Sequence, residues 1–321
     1  MTTTGTTAEP VVQVAELSKT FRGHLGIGRH TAVDRLSLSV SPGEIFGLLG
    51  HNGAGKTTTL KMIVGLLRPD RGSVRILGRP PSDPRARARI GFLPENPYFY
   101  DYLSAEEFLD LYARLHGLAG RARRSRIEAT LARVGLAGCG RTALRKFSKG
   151  LVQRLGLAQA ILHEPALLIL DEPMSGLDPV GRREVRDLIL SLREAGHSVF
   201  FSSHILQDVE MICDRVAILV RGQLRALGRL DTLVSRRILW FEVSVAGPLP
   251  ASLPGERMSS SGGETLLKVA DVDDLTRVLS QAAHSGAQVT SVWPRRETLE
   301  DLFLREMARE EPRGVGQEIK P

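Results

Sequence analysis

Hydrophobic positions along this chain follow two rhythms. Val11–Leu17, Leu36–Val40, Ile45–Leu49, Ser73–Leu77, Ile90–Leu93, Leu167–Leu170, Ser198–Ser202 and Val216–Val220 have the length and apolar content of strands. The early ones alternate. Leu167–Leu170 and Val216–Val220 are unbroken apolar runs, the pattern of strands buried on both faces. Helices are predicted at Lys56–Leu66, Ser104–His116, Ser125–Val134, Leu151–His163, Val180–Ala195 and Ile205–Cys213. Ser104 with Glu107, and Ser125 with Glu128, have capping-box spacing. Strand and helix alternate in the first and last thirds of residues 1–230, whereas Ser104–His163 is helical throughout. The expectation is an α/β core with an inserted helical subdomain.

Beyond Leu230 the texture changes. Strands are predicted at Leu239–Val245, Thr265–Val269 and Gln288–Val292, with helices at Asp274–His284 and Thr298–Met307 and a loop over Gly247–Gly263. These describe a small, separate α+β domain. The expected layout is a flexible tail at 1–9, a main domain at 10–232 with its helical subdomain at about 96–163, an accessory domain at 238–308, and a charged flexible tail at 309–321.

The composition is that of a globular protein of 321 residues, with 42% hydrophobic and 25% charged residues. Cys139 and Cys213 carry no metal-ligand or disulfide spacing and read as small buried hydrophobes. The Thr-rich start lacks the basic and apolar regions of a signal peptide. No apolar run approaches the roughly 20 residues that a bilayer requires. The net charge of +7 owes much to Arg85, Arg87 and Arg89 and to Arg121, Arg123, Arg124 and Arg126. Such runs are more often solvated faces than binding sites, and no nucleic-acid partner is expected.

Chemistry enters at Gly50-His51-Asn52-Gly53-Ala54-Gly55-Lys56-Thr57, followed by Thr58. The segment fits G-x-x-x-x-G-K-[ST] between a strand and a helix. Its glycines let the backbone curl so that N–H groups face phosphate oxygens, and the helix N-terminus adds partial positive charge. Lys56 reaches the β- and γ-phosphates, and the Thr57 hydroxyl is a magnesium ligand. About a hundred residues on, the strand Leu167–Leu170 ends in Asp171-Glu172. Open α/β sheets bind ligands at the carboxyl ends of their strands. Asp171 is the candidate for holding Mg²⁺, and Glu172 for deprotonating an attacking water.

Five further segments, in order, make residues 11–231 resemble the ATP-binding cassette of ABC transporters, a P-loop NTPase fold. Phe21, after Leu-Ser-Lys-Thr, matches the aromatic that stacks on adenine. Glu95, in Ile-Gly-Phe-Leu-Pro-Glu, matches the Q-loop position. Phe147–Leu151, followed by Gln153-Arg154, matches the signature. Ser175–Asp178 matches the D-loop, and His204 the switch histidine. The resemblance implies a second cassette packed head to tail with two ATP between the pair; a homodimer is the expectation, and pairing with a different cassette is the alternative. Ser148 and Gly150 then face the γ-phosphate held by the other copy, Asp178 couples the two sites, and His204 holds the γ-phosphate and the water. Glu95 joins Thr57 and Asp171 at Mg²⁺. A separate integral membrane permease is implied, with this chain peripheral on the cytoplasmic face of the cell membrane.

The sequence departs from the family pattern where Phe21 replaces Tyr, Glu95 replaces Gln, Lys149 replaces a signature glycine and Leu151 the signature glutamine. The link between Phe21 and Ala32 is also long. With Thr298-Leu-Glu-Asp-Leu-Phe303, these departures resemble the branch of exporters with ABC-2-type permeases. An importer motor is the nearest rival. A soluble ABC ATPase acting on ribosome or DNA is disfavoured by the single phosphate loop and by the lack of coiled coils or zinc fingers. A pure scaffold is disfavoured by intact Lys56, Asp171, Glu172 and His204.

Overall fold

A computed structural model describes residues 9–22, 28–234, 238–248 and 253–308. Nearly all of both expected tails, and the centre of the Phe21–Ala32 link, lie outside these. The chain divides into two compact units, residues 1–230 and 231–321.

The first unit runs β1 (Val12–Arg22), β2 (Arg29–Val40), β3 (Ile45–Leu49), α1 (Lys56–Ile63), β4 (Arg71–Ile76), α2 (Pro84–Arg87) and β5 (Ile90–Leu93). It continues with α3 (Ala105–Leu115), α4 (Gly120–Arg133), α5 (Lys149–Ile161), β6 (Leu167–Asp171), α6 (Pro179–Glu194), β7 (Ser198–Ser203), α7 (Leu206–Ile212), β8 (Arg215–Val220) and β9 (Gln223–Arg229). One sheet has the order β5-β6-β7-β3-β8-β9, parallel except for β9. Every residue of β3, β6 and β7 is buried, and so is Val216–Val220 of β8, as the unbroken apolar runs of β6 and β8 require. The alternating early strands instead form a separate antiparallel sheet, β2-β1-β4.

Phe46, Leu48, Ile169 and Phe200 of the parallel sheet share one core with Val12, Leu17, Leu38 and Ile76 of the antiparallel sheet and with Leu60, Met62 and Ile63 of α1. Eight residues are too few for an isolated helix to persist in water. Burial of three large side chains, at about 2 kcal/mol each, holds α1 in place and fixes the residues at its start.

The Ser104 capping box forms: Ser104 accepts from the Glu107 amide, and Glu107 Oε2 accepts from the Ser104 amide at 2.8 Å. The expected Ser125 box does not. Helix α4 starts five residues earlier, at Gly120, because Arg121-Ala122-Arg123-Arg124 are good helix formers, and Ser125 becomes interior. Strand β9 is also absent from the sequence-based expectation, since Gln223–Arg229 interleaves short and charged residues without a fully buried position.

Helix α8 (Leu230–Leu233) leads into the second unit, which contains β10 (Ile238–Ala246), β11 (Glu256–Ser261), β12 (Glu264–Val269), α9 (Val272–Ser285), β13 (Gln288–Arg296) and α10 (Leu299–Ala308). Its antiparallel sheet has the order β11-β12-β10-β13. Phe241, Val243, Val245, Leu267 and Val269 pack against Val278 and Ala282 of α9. Strand β11 falls within the expected Gly247–Gly263 loop. All six of its side chains are exposed, so backbone pairing to β12 defines it and no apolar pattern announces it. Among the described residues, no helix is long and apolar enough to cross a membrane.

Candidate functional site

Strand β3 is parallel and central, and the chain leaves its carboxyl end through Gly50–Gly55 into α1. Gly55 is the N-cap in the left-handed region, φ +102°, and a Cβ there would lie 2.2 Å from the Ala32 carbonyl oxygen. At Gly50 a Cβ would lie 2.6 Å from the Leu219 oxygen. Both glycines are therefore required by close backbone approach. Lys56 is buried, and its ammonium donates to the carbonyls of Gly50 at 2.6 Å and His51 at 3.2 Å.

Strands β6 and β7 pair in parallel with Asp171 opposite Ser202, which brings Asp171-Glu172 beside Ser202–His204. Ser202 Oγ donates to Asp171 Oδ1 at 2.7 Å and accepts from the Glu172 amide at 3.0 Å. Glu172 then turns across the end of the sheet at φ +50°, a left-handed conformation that costs a non-glycine residue on the order of 1 kcal/mol. Its carboxylate lies between two bases: Oε1 is 3.1 Å from Lys56 Nζ, and Oε2 is 2.8 Å from His204 Nδ1. Asp171 is 1% exposed. Burial pushes its pKa above the usual carboxylate value, against the opposing hydrogen bonds from Ser202 and Thr57. A cation near that carboxylate would relieve the cost of burying its charge.

A cleft of about 500 Å³ opens onto these groups, a volume suited to a small-molecule ligand. Phe21, Asn52, Gly53, Ala54, Gly55, Lys56, Thr57, Thr58, Glu95, Glu172 and His204 line it. Gly50 and Asp171 are just beneath, bonded to Lys56 and Ser202. Phe21 is 39% exposed where it lines the cleft, and Lys19 Nζ lies 5.7 Å from its ring centroid. Oxygen donors from Thr57 and Asp171, with Glu95 on the same cleft, fit a hard divalent cation such as Mg²⁺.

Besides Gly50 and Asp171, three expected site residues do not line this cleft. Ser148 caps α5 through the Leu151 amide at 3.4 Å, and Asp178 caps α6 through the Gly181 amide at 2.8 Å. Gly150 lies beside Leu177. They form a second grouping where α5 and α6 begin, and the Lys149 ammonium lies across Gly176 there. Among cleft residues, the sequence reading gave no individual role to His30, Ala32, His51 or Ser175, although His51 and Ser175 lie in its phosphate-loop and D-loop matches, and beneath the cleft it gave none to Ser202. Ser202 carried a signal: a hydroxyl that follows the apolar run Val199–Phe201 near the carboxyl end of β7, two residues before His204.

A phosphate-loop strand and helix, with strand-end acids across a cleft, define a P-loop nucleotide-binding fold. The ABC transporter family model matches residues 33–175. An uncharacterized ABC transporter ATP-binding protein of Synechocystis, sll0415, is 41% identical over 92% of this chain and 84% of its own length. The bacitracin transport ATP-binding protein BcrA of Bacillus licheniformis is 39% identical over 74% of this chain and 75% of its own. A solved ATP-binding subunit of an ABC transporter superposes with a TM-score of 0.61 at 33% identity, covering 70% of this chain and 91% of that one. This chain belongs to the family of ABC transporter ATP-binding proteins.

Proposed function

We propose that this chain hydrolyses ATP with magnesium and powers an ABC transporter of the ABC-2 exporter type, acting on a separate membrane permease from the cytoplasmic face. The convergence of Lys56, Glu172 and His204 on one cleft carries the reading. In it the 50–58 loop cradles the phosphates, with Lys56 as counter-charge, and Phe21 stacks on the base. Thr57 and Asp171, with Glu95, hold Mg²⁺, which when bound neutralises phosphate charge. Glu172 accepts the proton of the attacking water, and His204 fixes the carboxylate and the γ-phosphate. Rate enhancement comes from positioning and charge stabilisation.

The partner cassette is a second copy of this chain. Ser148, Gly150 and Asp178 lie off the chain's own cleft, which favours their serving the partner's. Two of the Arg-rich residues of α4 are already paired, Arg123 with Asp110 and Arg126 with Glu164, which favours a solvated face over a nucleic-acid site. The cassette is assigned to residues 10–232 with its helical subdomain at about 96–163, and the accessory domain to 238–308. Kinship with BcrA, whose name records bacitracin transport, favours an antibiotic-like cargo.

The test is phosphate release from ATP by the purified full-length chain, with Mg²⁺ and then with excess EDTA. Turnover that EDTA abolishes is expected, rising when the chain is reconstituted with its permease. No turnover under either condition, with ATP bound, would overturn the assignment.

A further inference from the structure

One buried charge beside the cleft has no part in this chemistry. Asp208, in the first turn of α7, is 4% exposed. Its Oδ1 is 3.6 Å from Arg186 Nη1 of α6, a charge contact too long for a hydrogen bond. Its Oδ2 is buried without a hydrogen-bond partner among the described residues. Burial pushes its pKa up; Arg182, Arg186 and His204 oppose that rise, and Glu172 adds to it. Asp208 is thus within electrostatic reach of both the histidine and the glutamate of the cleft.

The arginines lead elsewhere. Arg182 Nε donates at 3.2 Å to the carbonyl of Leu177, inside Ser175–Asp178, the segment that starts α6. Ser175 lines the cleft, and Asp178 caps α6. Helix α7 has only seven residues, and Val209 and Ile212 are its buried apolar side chains. It follows His204 directly, so its placement sets where that histidine stands. Were holding α7 down the sole task, an apolar side chain would serve as well, because a buried ion pair is often no better than a hydrophobic replacement. A charge retained with one oxygen unsatisfied fits a contact whose direction matters.

We propose, building on the ATPase reading of the cleft, that Asp208 is a positioning residue. Through Arg186 it ties α7 to α6, whose Arg182 one turn earlier holds the Leu177 carbonyl, so that His204 and Ser175–Asp178 hold a fixed relation. The site's histidine and the segment that begins α6 then move as one element.

The experiment compares the full-length wild type with Asp208→Asn, Arg186→Gln and the double variant. Hydrogen exchange is read over residues 175–178 and 204–212, together with kcat for ATP, Kd for Mg·ATP and Tm. Asp208→Asn is expected to speed exchange in both segments together. It should lower kcat roughly tenfold, given how steeply rate falls with misplacement, while Kd stays within about threefold because no phosphate contact is lost. The double variant should be no slower than either single, the mark of one shared contact. Arg186→Gln reports on the same contact should Asp208→Asn fold poorly. Faster exchange confined to 204–212, losses that multiply in the double variant, or a kcat that falls only as the unfolded fraction grows would each overturn the proposal. A wild type without turnover would sink the ATPase reading, while the exchange data still decide the role of Asp208.

Discussion

Lys56 is held at three points, two carbonyls of its own loop and the Glu172 carboxylate, with both side chains under 10% exposed. An ammonium so placed is available to phosphate because it is already desolvated and aimed, and exchanging carbonyl contacts for charged oxygens strengthens each bond. Lys56→Ala removes that charge and also leaves Glu172 buried beside an empty position. ATP affinity should fall about 100-fold, roughly 2–3 kcal/mol for a lost charge-assisted contact, measured by calorimetry; an unchanged dissociation constant would refute the role. These residues were legible because the phosphate loop is contiguous and its glycines have a geometric necessity visible as spacing. Ser202 was not. Its importance exists only because β6 and β7 are neighbours in register, and that pairing joins residues about thirty apart. Ser148 and Asp178 illustrate the reverse. Each matches a motif, yet inside the chain each does an ordinary helix-capping task.

At the scale of elements, the parallel strands were readable because burial on both faces leaves continuous apolar runs, and α3 was readable because its cap and its apolar face agree. Strands β9 and β11 escaped because they are edges without a fully buried side chain, so no apolar pattern marks them. One junction between elements makes a pH prediction. His116, at the end of α3, stacks on His163, just beyond α5, with centroids 3.9 Å apart and planes within 4°. Burial and the neighbouring ring lower the His163 pKa from 6.5 to about 4, although its ring nitrogen bonds the Ile90 carbonyl of β5 at 3.1 Å. The folded pKa lies below the unfolded one. The neutral ring therefore stabilises the fold above pH 6.5, and this contribution is lost as pH falls toward 4. Denaturant unfolding should show stability declining over that interval, by less than the full shift would give because the ring is partly exposed. His163→Gln should flatten the decline, and a mutant with an unaltered slope would remove His163 as its source.

At the scale of the whole molecule, every cleft residue falls in the first unit, so deleting residues 231–321 should leave Mg·ATP affinity within about threefold. The second unit has its own sheet, core and helices, and α10 buries Leu299 and Leu302 within the chain, so an assembly role would fall to the unit's exposed surface. Tethering raises the effective concentration for closing two cassettes on ATP. Sedimentation should therefore show the shortened chain dimerising less than the full chain; equal dimerisation of both would deny the second unit that task. What such a dimer is for depends on the cleft hydrolysing what it binds. That claim rests most directly on Glu172, whose carboxylate meets both Lys56 and His204. The decisive measurement is ATP turnover and ATP binding by Glu172→Gln, whose amide keeps the shape but cannot take the proton of the attacking water. Binding should persist while turnover falls by about 10²-fold or more, with ATP-bound dimer accumulating; hydrolysis near the wild-type rate would contradict the assignment.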